Sequence, residues 1–185
     1  MNLPNTITVI RLLLIPLFVI FLLEHRWDMA LLTFAIASIS DALDGFLARV
    51  LNQKTLFGAY VDPIADKLLL TTAFVTLAVM AKLPGWLAVV VVSRDVIITG
   101  GIGILMLNKR TMQIKPTFDS KITTFFQLIT VCFILSHDYV GEYWFLHKYL
   151  IVITALFTLL SGFHYLFIGF NILGKSGSEN PTSSD

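Results

Sequence analysis

Cysteine is all but missing from this chain, and charge is scarce. Cys132 is the single cysteine, which excludes a disulfide scaffold and leaves no set of thiols for structural zinc. Charged residues make up 14% of the sequence, against about 25% in a soluble domain. Thirteen basic and twelve acidic residues nearly cancel, to a net charge of +1. No global field draws in nucleic acid, so none is expected as a partner. The chain also lacks the low hydrophobicity of a disordered protein. What it has is apolar length: 56% of its 185 residues are hydrophobic and mean hydropathy is +0.82, which points to a membrane protein.

A helix needs roughly 20 apolar residues to cross the hydrocarbon core. Six stretches qualify, at residues 6–23, 30–49, 62–81, 84–107, 117–136 and 148–170. The expected fold is an all-α integral membrane protein, with a domain of six transmembrane helices over residues 1–173 and a polar tail, 174–185, expected to be disordered. The first stretch is expected to stay as a helix rather than be removed as a leader, because Arg11 lies inside it and no small-residue cleavage site follows. Arg11, Arg49, Lys54, Lys67, Lys109, Arg110, Lys115, Lys121 and Lys175 fall toward the side of the termini. Arg26, Lys82 and Lys148 fall opposite. The positive-inside rule then places both termini on the cytoplasmic side.

Acidic residues inside membrane spans are costly and mark function by default. Four of the twelve sit in one helical hairpin: Asp41 and Asp44 before its turn, Asp62 and Asp66 after it. Spacings of three and four put each pair on one helix face. With the turn centred between Gln53 and Lys54, the two pairs reach matching depths. Four clustered carboxylates cannot all stay ionised in low dielectric without compensating charge. An oxygen-only donor set selects hard divalent cations, Mg²⁺ or Mn²⁺, and Mg²⁺ usually completes its shell with water and substrate phosphate. Acids lining a proton or ion pathway are the rival explanation. Gly45, Ala48 and Arg49 speak against it, since they continue the Asp41/Asp44 face: two small residues beside an arginine fork suit a phosphate and repel a cation. Gly58 offers a second point of close approach.

The stretch DALDGFLARVLNQKTLFGAYVDPIAD resembles the signature of the CDP-alcohol phosphatidyltransferase family, D-x-x-D-G-x-x-A-R, eight residues, then G-x-x-x-D-x-x-x-D. All eight fixed positions match, an event whose chance frequency at a given start is on the order of 10⁻¹⁰. The N-terminal NLPNTITVIRLLLIPLF also looks like the family's first helix. The resemblance implies two divalent ions held by Asp41, Asp44, Asp62 and Asp66. It implies a CDP-binding side formed by Gly45, Ala48, Arg49 and Gly58, and a general base, Asp66, that takes the acceptor's proton. The donor would be CDP-diacylglycerol, the other substrate an alcohol, and the leaving group CMP. The family also implies a homodimer among membrane lipids, here expected as a multi-pass protein of a bacterial inner membrane with a cytoplasmic active site.

Arg94 and Asp95 lie mid-span, where they either pair with each other and with core polar groups or reach an acceptor phosphate. Lys115 and Lys121 flank the fifth helix and are expected to point inward. Bacterial phosphatidylglycerophosphate synthases typically show an Arg-Glu pair in the fourth span, a further arginine after it and a G-K-x-K-T segment. Here Asp95 follows Arg94, residues 96–107 hold no arginine, and Ser120–Thr124 reads SKITT. SRDV at residues 93–96 and KPTFDSK at 115–121 instead look like cardiolipin synthases of the eukaryotic type. The expected acceptor is therefore phosphatidylglycerol, with glycerol 3-phosphate as the alternative. His164 and Cys132, isolated in their spans, are expected to serve packing.

Overall fold

The computed structural model describes the backbone of residues 3–50, 56–107, 118–141 and 145–176, and side chains over 9–40, 67–101, 119–139, 141 and 145–169. Among these every element is helical: α1 (Leu3–Leu23), α2 (Trp27–Val50), α3 (Leu56–Val79), α4 (Gly85–Leu107), α5 (Phe118–Leu135), the short α6 (His137–Val140) and α7 (Leu146–Ser176). The six long helices coincide with the six apolar stretches. α3 starts six residues before residue 62, because a helix tolerates the polar residues at which an apolar run is broken. α7 continues to Ser176, three residues into the expected tail; residues 177–185 lie outside the described set. One segment, Leu146–Gly169, is long and apolar enough to span a membrane, with a mean hydropathy of 2.0. Val9–Leu23, Trp27–Ser40 and Lys67–Val79 are apolar but shorter, so among the described residues one full-length span is evident where six were expected.

The long helices form a ring in the order α1, α2, α5, α7, α4, α3, each packed on its two neighbours. Two turns at the end away from the termini are closed by the same device. His25 and Ala81 adopt left-handed conformations, with φ of 59° and 55°. The amide of Arg26 then donates to Phe21 O, and that of Lys82 to Leu77 O, both at 2.9 Å, which satisfies carbonyls that a helix end leaves open. The Lys82 ammonium lies 5.1 Å from the Trp27 ring centroid and ties the two turns together.

The core is chemically divided. On the α1–α4 side it is apolar: Phe18, Leu22, Phe34, Leu70, Phe74, Leu77, Leu87 and Val91 are fully buried, and the Phe18 and Phe34 rings pack 5.5 Å apart. Between α5 and α7 runs a polar seam. The hydroxyls of Thr130 and Thr154 are 2.7 Å apart, Gln127 Nε2 donates to Thr158 Oγ1 at 3.3 Å, and Thr123 Oγ1 donates to Phe157 O at 3.0 Å. Inside an apolar surround such bonds hold helices together where hydrophobic force cannot. Large apolar side chains such as Leu13, Val79, Val89, Phe163 and Phe167 face outward.

Candidate active site

α2 and α3 carry the aspartates on the two helical segments that flank residues 51–55, which lie outside the described set with the turn expected at Gln53 and Lys54. Asp44 sits six residues before the end of α2 and Asp62 six residues after the start of α3. Asp41 and Asp66 sit nine and ten residues from the same ends. At 1.5 Å per residue the inner pair lies about 9 Å, and the outer pair about 14 Å, from the helix ends. Gly45, Ala48 and Arg49 belong to α2 and Gly58 to α3. The side chains of Asp41, Asp44, Gly45, Ala48, Arg49, Gly58, Asp62 and Asp66 lie outside the described residues, as does Lys115 altogether. Among the described residues no group of three or more His, Cys, Asp or Glu side chains is placed to hold a metal.

The described neighbours of these aspartates form a clasp of charge. Asp95 Oδ1 accepts from Lys67 Nζ at 2.8 Å and from Arg94 Nη1 at 2.7 Å. Arg94 Nη2 donates to Ser120 Oγ at 2.6 Å and to Ser161 Oγ at 3.0 Å. One cluster thus joins α3, α4, α5 and α7 at a single level. Arg94 and Asp95 are almost wholly buried, with side chains 2% and 6% exposed, while Lys67 is 25% exposed. Arg94 Nε and Asp95 Oδ2 are buried with no hydrogen-bond partner among the described residues.

The clasp also ties the first described turn of α5 to α4 and α7. Ser120 and Asp119 lie in its first turn, level with Asp95 of α4 and with Ser161 and His164 of α7, because His164 Nδ1 and Asp119 Oδ2 are 2.6 Å apart. From that level α4 continues twelve residues to Leu107 and α7 twelve residues from His164 to Ser176. α3 rises ten residues from Asp66 to Leu56 in the same direction. These extensions amount to about 15–18 Å of helix. The described backbones of α3, α4 and α7 therefore all extend past the level of the clasp in one direction. Asp66, next to Lys67 in the chain, lies at this level of α3.

Several participants carried no signal that singled them out. In the sequence Lys67 is marked only as a basic residue toward the side of the termini, and its partner is 28 residues away. His164 is not isolated, since it meets Asp119 at this same level. Arg11 of α1 is fully buried; an arginine inside an apolar span is itself a mark of function. Lys121 is exposed near the start of α5, so the expected inward direction does not hold for it. Arg94 has both terminal nitrogens engaged within the clasp, while its Nε, without a partner among the described residues, is free to donate.

Comparison with known proteins bears on the chemistry. The family model for CDP-alcohol phosphatidyltransferase matches residues 1–160. A CDP-diacylglycerol–glycerol-3-phosphate 3-phosphatidyltransferase of Bacillus subtilis is 33% identical over 181 residues, covering 89% of this chain and 93% of the relative. One of Shigella flexneri is 34% identical over 178 residues, with the same coverage of each chain. A CMP-forming cardiolipin synthase of Rattus norvegicus is 33% identical over 146 residues, covering 70% of this chain and 48% of that enzyme. With the signature aspartates on adjoining helical segments and this similarity along most of its length, the chain belongs to the CDP-alcohol phosphatidyltransferase family, membrane-associated enzymes of phospholipid synthesis.

Proposed function

We propose that this enzyme transfers the phosphatidyl group of CDP-diacylglycerol to glycerol 3-phosphate and releases CMP. The extent of similarity carries this reading: the two bacterial relatives named for that acceptor align over 93% of their own length. The cardiolipin synthase aligns over about half of its length. Phosphatidylglycerol, the acceptor favoured by the SRDV and KPTFDSK segments, becomes the second reading, supported by the absence of arginine from residues 96–107.

In the reaction the acceptor hydroxyl oxygen bonds to the phosphatidyl phosphorus, the bond from that phosphorus to the CMP oxygen breaks, and Asp66 takes the hydroxyl proton. A positioned base of this kind contributes about 10²–10⁴ in rate. The donor set of Asp41, Asp44, Asp62 and Asp66 is all oxygen and fits two ions of Mg²⁺ or Mn²⁺. When bound, they neutralise pyrophosphate charge and polarise the phosphoryl group. Arg49 binds phosphate as a fork, and Gly45, Ala48 and Gly58 leave room for the nucleotide. Lys115 and Arg94 Nε supply positive charge for the acceptor phosphate. A site near the cytoplasmic interface admits the water-soluble head groups while the acyl chains remain in lipid. This reading includes six membrane spans, a site facing the cytoplasm in a bacterial inner membrane, and a homodimer.

Separate reactions with CDP-diacylglycerol and either labelled glycerol 3-phosphate or labelled phosphatidylglycerol test the acceptor. Label in phosphatidylglycerophosphate alone is expected. Label in cardiolipin alone refutes the proposal and leaves the family assignment intact.

A further inference from the structure

Lys67 and Asp95 lie outside the eight signature positions, yet their ion pair is the described bond from α3 to the clasp. Lys67 follows Asp66 directly in a continuous helix, so whatever sets the rotation of α3 at Lys67 also sets it at Asp66, and at Asp62 one turn earlier. A helix with its side chains is about 10–12 Å across, so a side-chain tip lies roughly 5–6 Å from the axis. A 10° rotation therefore moves that tip by about 1 Å, and an error of 1 Å at a reacting centre can cost about 100-fold in rate. Asp95 is well suited to hold the rotation. It is buried, it receives Lys67 at 2.8 Å, and Arg94 anchors it in turn to Ser120 on α5 and Ser161 on α7. The α3 helix is thus referenced to three other helices through one oxygen atom.

We infer that the Lys67–Asp95 ion pair is a positioning device that sets the rotation of α3 and so aims Asp66 at the acceptor hydroxyl. The inference rests on Asp66 being the base. Lys67 acts through α3 and not on substrate, so removing either member of the pair has the same effect.

The test measures turnover, donor KM and the folded fraction of the full chain in detergent, using CDP-diacylglycerol and glycerol 3-phosphate. Lys67→Met and Asp95→Asn are each expected to lower kcat by about 10- to 100-fold per folded molecule. Lys67→Arg, which keeps the charge and the bond, is expected to recover to within about threefold of the parent. In an Asp66→Asn background Lys67→Met is expected to cost less than twofold more, because the group it aims is already gone. Near-parental turnover in Lys67→Met overturns the inference, as does a loss that follows the folded fraction alone. A loss in Lys67→Met that Asp95→Asn does not share overturns it too, since Lys67 would then act on substrate. Parental turnover in Asp66→Asn refutes the base assignment itself, an outcome distinct from an inactive Asp66→Asn beside a fully active Lys67→Met.

Discussion

Removing one member of the Arg94–Asp95 pair should destabilise the protein more than removing both. In Asp95→Leu, the guanidinium of Arg94, 2% exposed, keeps Ser120 and Ser161 but loses its counter-charge. An uncompensated buried charge costs about 3–5 kcal/mol. In Arg94→Met the carboxylate of Asp95 keeps Lys67 at 2.8 Å, so no charge is stranded and the loss is of the hydrogen bonds to Asp95, Ser120 and Ser161, the charge-assisted one worth about 1.5–3 kcal/mol. In the double variant Lys67, being 25% exposed, turns toward solvent. Two apolar side chains of similar volume then occupy the site, at a cost of about 0–2 kcal/mol. Thermal unfolding in detergent reads the difference, at roughly 2–4 °C per kcal/mol for a chain of this size. Asp95→Leu should melt about 6–20 °C below the parent, and Arg94→Met/Asp95→Leu above Asp95→Leu. Losses that simply add in the double variant would refute the idea that the two charges compensate each other.

CMP release should stop in excess EDTA and return with Mg²⁺ or Mn²⁺. Asp41→Asn, Asp44→Asn and Asp62→Asn should each raise the metal concentration for half-activation together with the donor KM, whereas Asp66→Asn should mainly lower kcat. Ala81→Gly should stabilise the fold by about 0.5–1 kcal/mol, since the left-handed residue at φ 55° costs about 1–2 kcal/mol with a β-carbon and the added unfolded-state freedom of glycine offsets part of the gain; an unchanged or lower melting temperature counts against it. A double-mutant cycle of Thr130→Val and Thr154→Val should give a coupling of about 0.6 kcal/mol across the seam, and a coupling of zero would show that their 2.7 Å contact does not hold the helices.

The helices were legible because their apolar runs are long: the ends of α1 at Leu23 and α5 at Leu135 fall at or next to where those runs end. The start of α3 was misplaced because counting apolar residues stops at Asp62, while the backbone hydrogen bonds do not. The aspartate pairs stood out by their cost and spacing. Their partners did not, because Lys67 and Asp95 meet only once α3 and α4 are packed. The seam was missed for a different reason. Threonine is nearly neutral in hydropathy, so Thr123, Gln127 and Thr130 on α5, and Thr154, Thr158 and Ser161 on α7, read as filler until their three-and-four spacing is noticed on both helices. The acceptor was not legible in the sequence, because a handful of local differences in α4 and α5 point to phosphatidylglycerol while similarity along 89% of the chain points to glycerol 3-phosphate.

The seam has a consequence for how α7 is held along its length. Its rungs are chemically alike and recur at one-turn intervals, so sliding α7 by a turn, about 5.4 Å, brings hydroxyl opposite hydroxyl or amide again. Such a ladder grips without specifying a position, like a ratchet whose teeth are identical. The position is specified where Ser161 reaches Arg94 and His164 reaches Asp119, and where the Phe126 and Phe157 rings stack 4.9 Å apart. The register of α7 against α4 and α5 is therefore written in a few unlike pairings, and losing them leaves the ladder able to engage one turn away.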